Sequence, residues 1–502
     1  MAFNTKIIER FKSSMQLEEI AIKDTESDDQ PDVASEESAK PSKAVGHIAP
    51  YVKINGYVFD HNDIEDMTLS EQGFLPSINI TIRDTKGVFS SAYFPKTNPV
   101  LSLYIRSIND KLKCIRCDFL IIDISSDESQ DSEDTMAGKN ISLTMSGILL
   151  VPNLFDNTPQ SYASMTSLEV LQELAFDMKL GFATNEDYTN DNMTWIKPLI
   201  RRNTFIQNVI TYSFKDDKSF YWGFVSKHYH LTFVNMSEMF KEDLDFDKMY
   251  EKVITYADLY EKQSDATVDN STTDLILTNA LRMAHTDSYI TSFVPETNNG
   301  SILVNSGYIR NLGYYDTRLT DDYRKNFVEL DVKPISETLA PGKNRPGERI
   351  PDENLDNLAT NANGEWCGVD YNNGHDNFNF ARVQNEHNNN DVRKITLNIS
   401  MDGINLNLLR GMRVPVLIIR ENPGDMVMMD AQLTTKDELK SGTEKSEEKY
   451  VSVDKWLSGY YVVGSLKYNY DARGKKAFTT DAVLYRMNWN QPNATQPEKN
   501  TK

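Results

Sequence analysis

The sequence predicts a mainly β protein in which two related antiparallel β-barrels flank a small α/β domain. Three observations predict it. Apolar and polar residues alternate with period two in residues 48–151 and again in 393–490, the period switches to helical near Thr166, and the strand motifs recur in the same order in both β blocks. In the first block Ile78, Ile80 and Ile82 alternate with Asn79, Thr81 and Arg83, and Ile141, Leu143 and Met145 alternate with Ser142, Thr144 and Ser146. Such alternation gives antiparallel strands with one wet face.

Composition narrows the classes. The 502 residues carry 53 Lys+Arg against 74 Asp+Glu, a net charge of −21. Long-range repulsion from polyanions then argues against specific nucleic-acid binding. Three cysteines cannot form a disulfide framework, and Met1–Met15 lacks the apolar core of a secretion signal. The longest apolar runs, Phe119–Ile122 and Val414–Ile419, fall far short of the roughly 20 residues that a spanning helix needs, so no membrane insertion is expected.

Along the chain, residues 1–47 read as an N-terminal helical arm, with Ile7, Ile8, Phe11 and Met15 on one face, followed by an acidic linker. Such an arm either docks on a neighbouring subunit or frays. Residues 48–151 form the first barrel, with an acidic loop at Asp127–Asp134, and 152–265 the α/β domain. There, Thr166 and Glu169 make a capping box for a helix carrying Leu168, Leu171, Leu174, Ala175 and Met178, and Gly181 is its expected stop. A second helix follows Asn203, and Ser219–Phe224 with His228–Asn235 reads as a hairpin. The second barrel is expected to start in 266–334, with strands at Ser301–Ile309 and Asn326–Val332. An Asn/Gly/Pro-rich insertion at 335–392 reads as a long loop. The barrel resumes in 393–490, interrupted by a polar insertion at Glu421–Lys449, and 491–502 is a tail.

The two β blocks echo each other. ITIRD, PVLSLYIR, DFLIIDIS and NISLTMSG in the first are matched by ITLNIS, VPVLIIR, YYVVGSLKY and AFTTDAVLYR in the second. Together with SLEVLQELAFDMKLGFATN (Ser167–Asn185), NDNMTWI (Asn190–Ile196), SFYWGFVSKHYHLTFVN (Ser219–Asn235) and LLRGMRVPVLI (Leu408–Ile418), these segments make the chain resemble the central baseplate hub proteins of contractile-tail bacteriophages. It is similar also to the hub part of type VI secretion spike proteins. The resemblance implies two related barrels, a homotrimer with approximate sixfold symmetry, and a virion location in the tail baseplate after assembly in the host cytoplasm. Its implied partners are tail-tube proteins on one side, a central spike protein on the other, and baseplate wedge proteins at the periphery. Individual contact residues do not transfer. The N-terminal arm and the two insertions depart from the simplest family pattern.

No catalytic, cofactor-binding or metal-ligating residue is expected, and no cofactor. Cys114 and Cys117 stand three apart on a strand and so point to opposite faces, and Cys367 stands alone. His228 and His230 share a face if both lie on a strand, but a third ligand is lacking nearby. Asp370, Asn372, Gly374 and Asp376 superficially match a calcium loop, yet the glycine is one place early and Ala381 occupies the twelfth position. The aromatics Phe220, Tyr221, Trp222, Phe224, Tyr229 and Phe233 read as core and contact rather than a sugar platform. Two rival functions remain at this level: a cell-wall or polysaccharide hydrolase, and a receptor- or sugar-binding module.

Overall fold

The computed structural model describes residues 7–15, 50–54, 57–59, 62–84, 99–105, 115–129, 140–240, 277–279, 289–297, 312–316, 327–330, 365–369, 374–393, 395–420, 430–431, 451–454, 456–472 and 477–486. The acidic stretch Asp24–Lys43, most of the loop at Asp127–Asp134, the expected strand Ser301–Ile309, the segment Asp370–Asn372, nearly all of Glu421–Lys449 and the tail lie outside them.

After β1 (Ile8–Phe11), the first β half comprises β2 (Tyr51–Ile54), β3 (Tyr57–Phe59), β4 (Ile64–Glu71), β5 (Ser77–Arg83), β6 (Val100–Ile105), β7 (Ile115–Ser129) and β8 (Asn140–Leu149). The α/β domain follows with β9 (Gln160–Met165), α1 (Ser167–Asp177), β10 (Gly181–Thr184), β11 (Met193–Lys197), α2 (Arg202–Thr211), β12 (Tyr221–Val225), β13 (His230–Asn235) and α3 (Met236–Phe240). The second β half holds β14 (Leu277–Thr278) and β15 (Ile290–Thr297), then β16 (Leu312–Asp316), β17 (Phe327–Leu330) and β18 (Glu365–Val369) in a small separate sheet. It continues through α4 (Phe378–Val392), β19 (Ile395–Asp402), β20 (Arg413–Leu417), a small sheet of β21 (Ile419–Arg420), β22 (Asp430–Ala431) and β23 (Val451–Val453), and then β24 (Gly459–Asp471) and β25 (Phe478–Tyr485). Among the described residues no helix is long and apolar enough to cross a membrane.

The protein is mainly β, and the expected echo holds as paired topology. In the first half β4–β5–β8–β7–β6 are successive antiparallel neighbours, and in the second β15–β19–β25–β24–β20 are. The irregularities also coincide. Glu65 bulges from β4 against β5 where Thr291 bulges from β15 against β19; Ile122 bulges from β7 against β8 where Gly464 bulges from β24 against β25. An extra residue shifts the register of everything beyond it, so two bulges at matching places are a demanding likeness between ladders. The registers then superpose SINITIR of β5 on TLNISMD, Thr396–Asp402, of β19, with Ile80 taking the place of Ile399.

Two details differ from the sequence reading. The ladders set Leu101 against Phe119 and Val414 against Tyr461, so the two Pro-Val-Leu triplets are out of register although the strands correspond. The halves are also not separate units: β4 pairs with the C-terminal part of β24, making one sheet of 13 strands. β24 is long enough to serve two partners on one edge, β20 through residues 413–416 and β4 through residues 66–71.

In the α/β domain, α1 has the expected capping box, with Glu169 N donating to Thr166 Oγ1 and Thr166 N donating to the Glu169 carboxylate at 2.8 Å. Its stop is Lys179 at φ +58° rather than Gly181: Leu180 N donates back to Ala175 O, a left-handed helix closure, and Gly181 already begins β10. The arm is the clearest reversal. Ile8–Phe11 is a strand paired antiparallel with β10, extending the order β1–β10–β13–β12. A helix so short is marginal in water, whereas the β10 edge satisfies its backbone groups, Phe11 stacks on Phe182 at 6.1 Å, and Arg10 donates to Glu186 O and Asp187.

The insertion 335–392 is likewise not all loop, since Glu365–Val369 is strand and Phe378–Val392 is helix. Within that helix Asn385 Nδ2 donates to Thr211 O and Ser213 O, and its Oδ1 accepts from Tyr221 N. Thr211 O is among the groups that the end of α2 leaves without helical partners, and Ser213 O follows just past the cap. Buried amides thus complete the backbone bonding of the neighbouring domain.

Gly459 marks a constraint in the second half. It sits at φ +145°, and a Cβ there would stand 2.5 Å from Arg486, which is 1% exposed and donates to Trp456 O and Ser458 O. Gly459→Ala should lower stability by about 1–3 kcal/mol, read as a reduced denaturant midpoint with unchanged slope.

Candidate functional site

No cluster of three or more His, Cys, Asp or Glu placed to hold a metal occurs among the described residues. Of the residues singled out from the sequence, Cys117 and most of the aromatic run are described and lie in the core. Cys117 is buried in the core, its thiol donates weakly to Lys227 O, and burial pushes its pKa up, the opposite of what a reactive thiolate needs. Cys114 lies outside the described residues. His228 and His230 do not share a strand face: His228 belongs to the turn before β13, and His230 Nε2 lies 3.2 Å from Glu9 of the arm. The aromatic run is core, with Phe220, Tyr221, Phe224, Tyr229 and Phe233 each no more than 3% exposed. Trp222 is half-buried against Tyr485 and Arg410.

The turn Ser226–Tyr229 is where three parts of the chain meet. It enters between the two β halves with Tyr229 at φ +57°. Tyr229 OH accepts from Asp118 N of β7 at 2.7 Å, and Lys227 N donates to Glu71 Oε1 of β4 at 2.9 Å. Lys227 Nζ donates to Glu71 Oε2 at 3.0 Å, to Tyr468 OH of β24 at 3.0 Å and to Leu408 O at 2.8 Å. All three ammonium protons are used, which is the condition under which a buried charge is tolerated. Burial works against the Lys227 charge, but Glu71 and Tyr468 outweigh it and hold the pKa above the ordinary lysine value. Burial also pushes the Tyr468 hydroxyl up to about 12. Nothing in SKHYH distinguishes this lysine from a solvated hairpin tip, so the sequence reading missed it. The one available signal was outside that pentapeptide, in the largely apolar and aromatic runs FYWGFV and LTFV on either side of it.

The wet face of the joined sheet is the other feature. Asn79, Thr81 and Thr144 in the first half correspond to Asn398, Ser400 and Asp481 in the second. One side-chain bond crosses the seam, Thr68 Oγ1 donating to Asn469 Oδ1, and two more continue from it within the second half, Asn469 Nδ2 donating to Asp481 Oδ2 and Ser400 Oγ donating to Asp481 Oδ1. A shallow cavity of 260 Å³ opens on this face, lined by Gln72, Asn398, Ser400, Lys467 and Asp481 among others. The face is built of short hydroxyl and amide side chains with a few charges.

No family model and no curated protein matches the chain. Solved structures do. The chain is similar to a tail protein of Neisseria meningitidis at 12% identity, with 88% of this chain and 97% of that one covered and a TM-score of 0.44. It is also similar to a 43 kDa tail protein of prophage MuSo2 from Shewanella oneidensis, at 7% identity, the same coverages and a TM-score of 0.44. A third neighbour is an E. coli type VI secretion component, described as structurally similar to bacteriophage T4 tail proteins, at 9% identity, 88% and 79% coverage and a TM-score of 0.37. These neighbours carry no residue roles across.

Lys227→Met should cost about 3–5 kcal/mol, because Glu71 is left buried and unpaired, and adding Glu71→Gln should recover part of it; denaturant melts of the two variants check this. Since the Lys227 pKa is raised on folding, its contribution is complete below the ordinary value of 10.5 and is lost as pH rises through the folded value. The stability gap between wild type and Lys227→Met should therefore stay constant from about pH 6 to 9 and shrink only above about 10.5.

Proposed function

We propose that this protein is a non-catalytic structural hub of a contractile phage tail baseplate, acting as a homotrimer whose duplicated halves form a ring of approximate sixfold symmetry. The observation that carries the reading is the repeat of a five-strand ladder order with both bulges in place. Three copies of a chain with two alike halves present six alike surfaces, while the unlike insertions keep threefold character. Such a ring mates a sixfold tail tube on one side with a threefold central spike on the other. Wedge proteins would meet the periphery, where the polar insertions leave the β halves. In this arrangement the wet face lines the channel. Short hydroxyl and amide side chains with few charges, in a chain of net charge −21, offer a passing polyanion little to bind, which suits conduction of nucleic acid without specific recognition.

The test is the mass of the purified full-length chain by light scattering, combined with assays for turnover of peptidoglycan and polysaccharide. Three chains per particle and no turnover are expected. A monomer with hydrolytic activity would overturn the reading in favour of an enzyme.

A further inference from the structure

The junction inside the chain specifies a junction between chains. Resting on the ring reading and extending it, we infer that the C-terminal part of β7, from Ile124 to Ser129, pairs antiparallel with β15 of a second copy, in the register that β24 and β4 use within one copy.

β4 and β15 hold the same place in the two halves, as do β7 and β24. Within the chain, the outer edge of β4 is taken by β24, through Leu466 against Glu71, Lys467 against Ser70 and Tyr468 against Leu69. The corresponding edges are the outer edge of β15, whose described partner is β19 alone, and the edge of β7 beyond Leu120, where the pairing with β6 has ended. Among the described residues, no strand of the same copy pairs along either of these two edges. An edge strand is a row of unpaired backbone donors and acceptors.

The shared bulges set the register. Counting from Ile122 in β7 and Gly464 in β24, Ser125 corresponds to Lys467 and Ser126 to Tyr468. Counting from Thr291 in β15 and Glu65 in β4, Glu296 corresponds to Ser70 and Pro295 to Leu69. Across the junction Ser125 of one copy therefore stands opposite Glu296 of the next, and Asp127 opposite Val294. The surface has the character expected of an edge awaiting a partner: Ile122 is 63% and Val294 53% exposed. Ser125 and Glu296 are exposed too. Pro295, standing where β4 has Leu69, leaves this strand one donor poorer. Because the two edges differ, the contact is head-to-tail, and it closes when successive junctions repeat the rotation of the one within the chain.

The test places cysteines at Ser125 and Glu296 of the full-length chain, with Cys114 and Cys367 changed to serine, and a control pair at Ser125 and Ser292. The control is displaced by four residues, about 13 Å along the strand. Mild oxidation should link most Ser125→Cys/Glu296→Cys chains into covalent dimers and trimers on a non-reducing gel, with no linkage above background in the control. Both sites are exposed, so folding is not at risk, and light scattering on the same samples gives the copy number. A trimer in which the Ser125/Glu296 pair fails to link, or in which the control links as well, overturns this junction and leaves the ring reading standing. A monomer overturns both.

Discussion

The ladder between β4 and β24 is the constraint on which the rest of the molecule depends. Without it the chain would hold two meanders, each with an open edge next to the other. With it, Leu466–Asp471 of the second half continues the sheet of the first, and the apolar faces of both halves feed one core cluster. β24 overshoots β20, and its residues beyond the Gly464 bulge, Leu466–Asp471, are the ones that pair with β4. A Cβ at Gly464 would stand 2.1 Å from the Tyr485 ring, which closes over the bulge.

The α/β domain holds that ladder from one side. The Ser226–Tyr229 turn touches β4, β7 and β24, and its buried lysine draws Glu71, Tyr468 and Leu408 to one point. Such an ion pair is weak evidence of stability gained, since desolvating both charges costs about what their attraction returns. Its physical consequence is geometric: each donor has one acceptor, so the two halves have one relative placement. The loop around Arg410 reinforces this, with the guanidinium 4.7 Å from the Phe224 ring and bonded to Gly73 O. A fixed angle between halves is what a closed ring of repeated junctions requires.

Much of this was legible in the sequence, because period-two alternation survives wherever one sheet face is wet. The strands around Ile80, Leu143 and Ile399, the capping box at Thr166 and the hairpin at β12 and β13 all lie where the pattern puts them. The failures share a cause, which is that local pattern is silent about distant partners. Ile8 and Phe11 have helical spacing, yet an open edge at β10 turns them into strand. The Asn-rich segment 335–392 reads as loop, yet Asn385 donates to the Thr211 carbonyl at the end of α2. Lys227 looks like a hairpin tip, yet that tip is buried between two sheets. The order of strands was readable, whereas the seam joining the halves was not, since no residue in TLSE or LKYNY marks the other as its neighbour.

The most direct measurement is a cryo-electron reconstruction of the purified full-length protein, calculated without imposed symmetry. The account predicts a closed ring of six alike sheet units from three chains, successive units turned by about 60°, with continuous strand pairing both within and between chains. A particle whose two halves sit in unlike surroundings, or whose chains meet through the α/β domains and leave the sheet edges open, would contradict it.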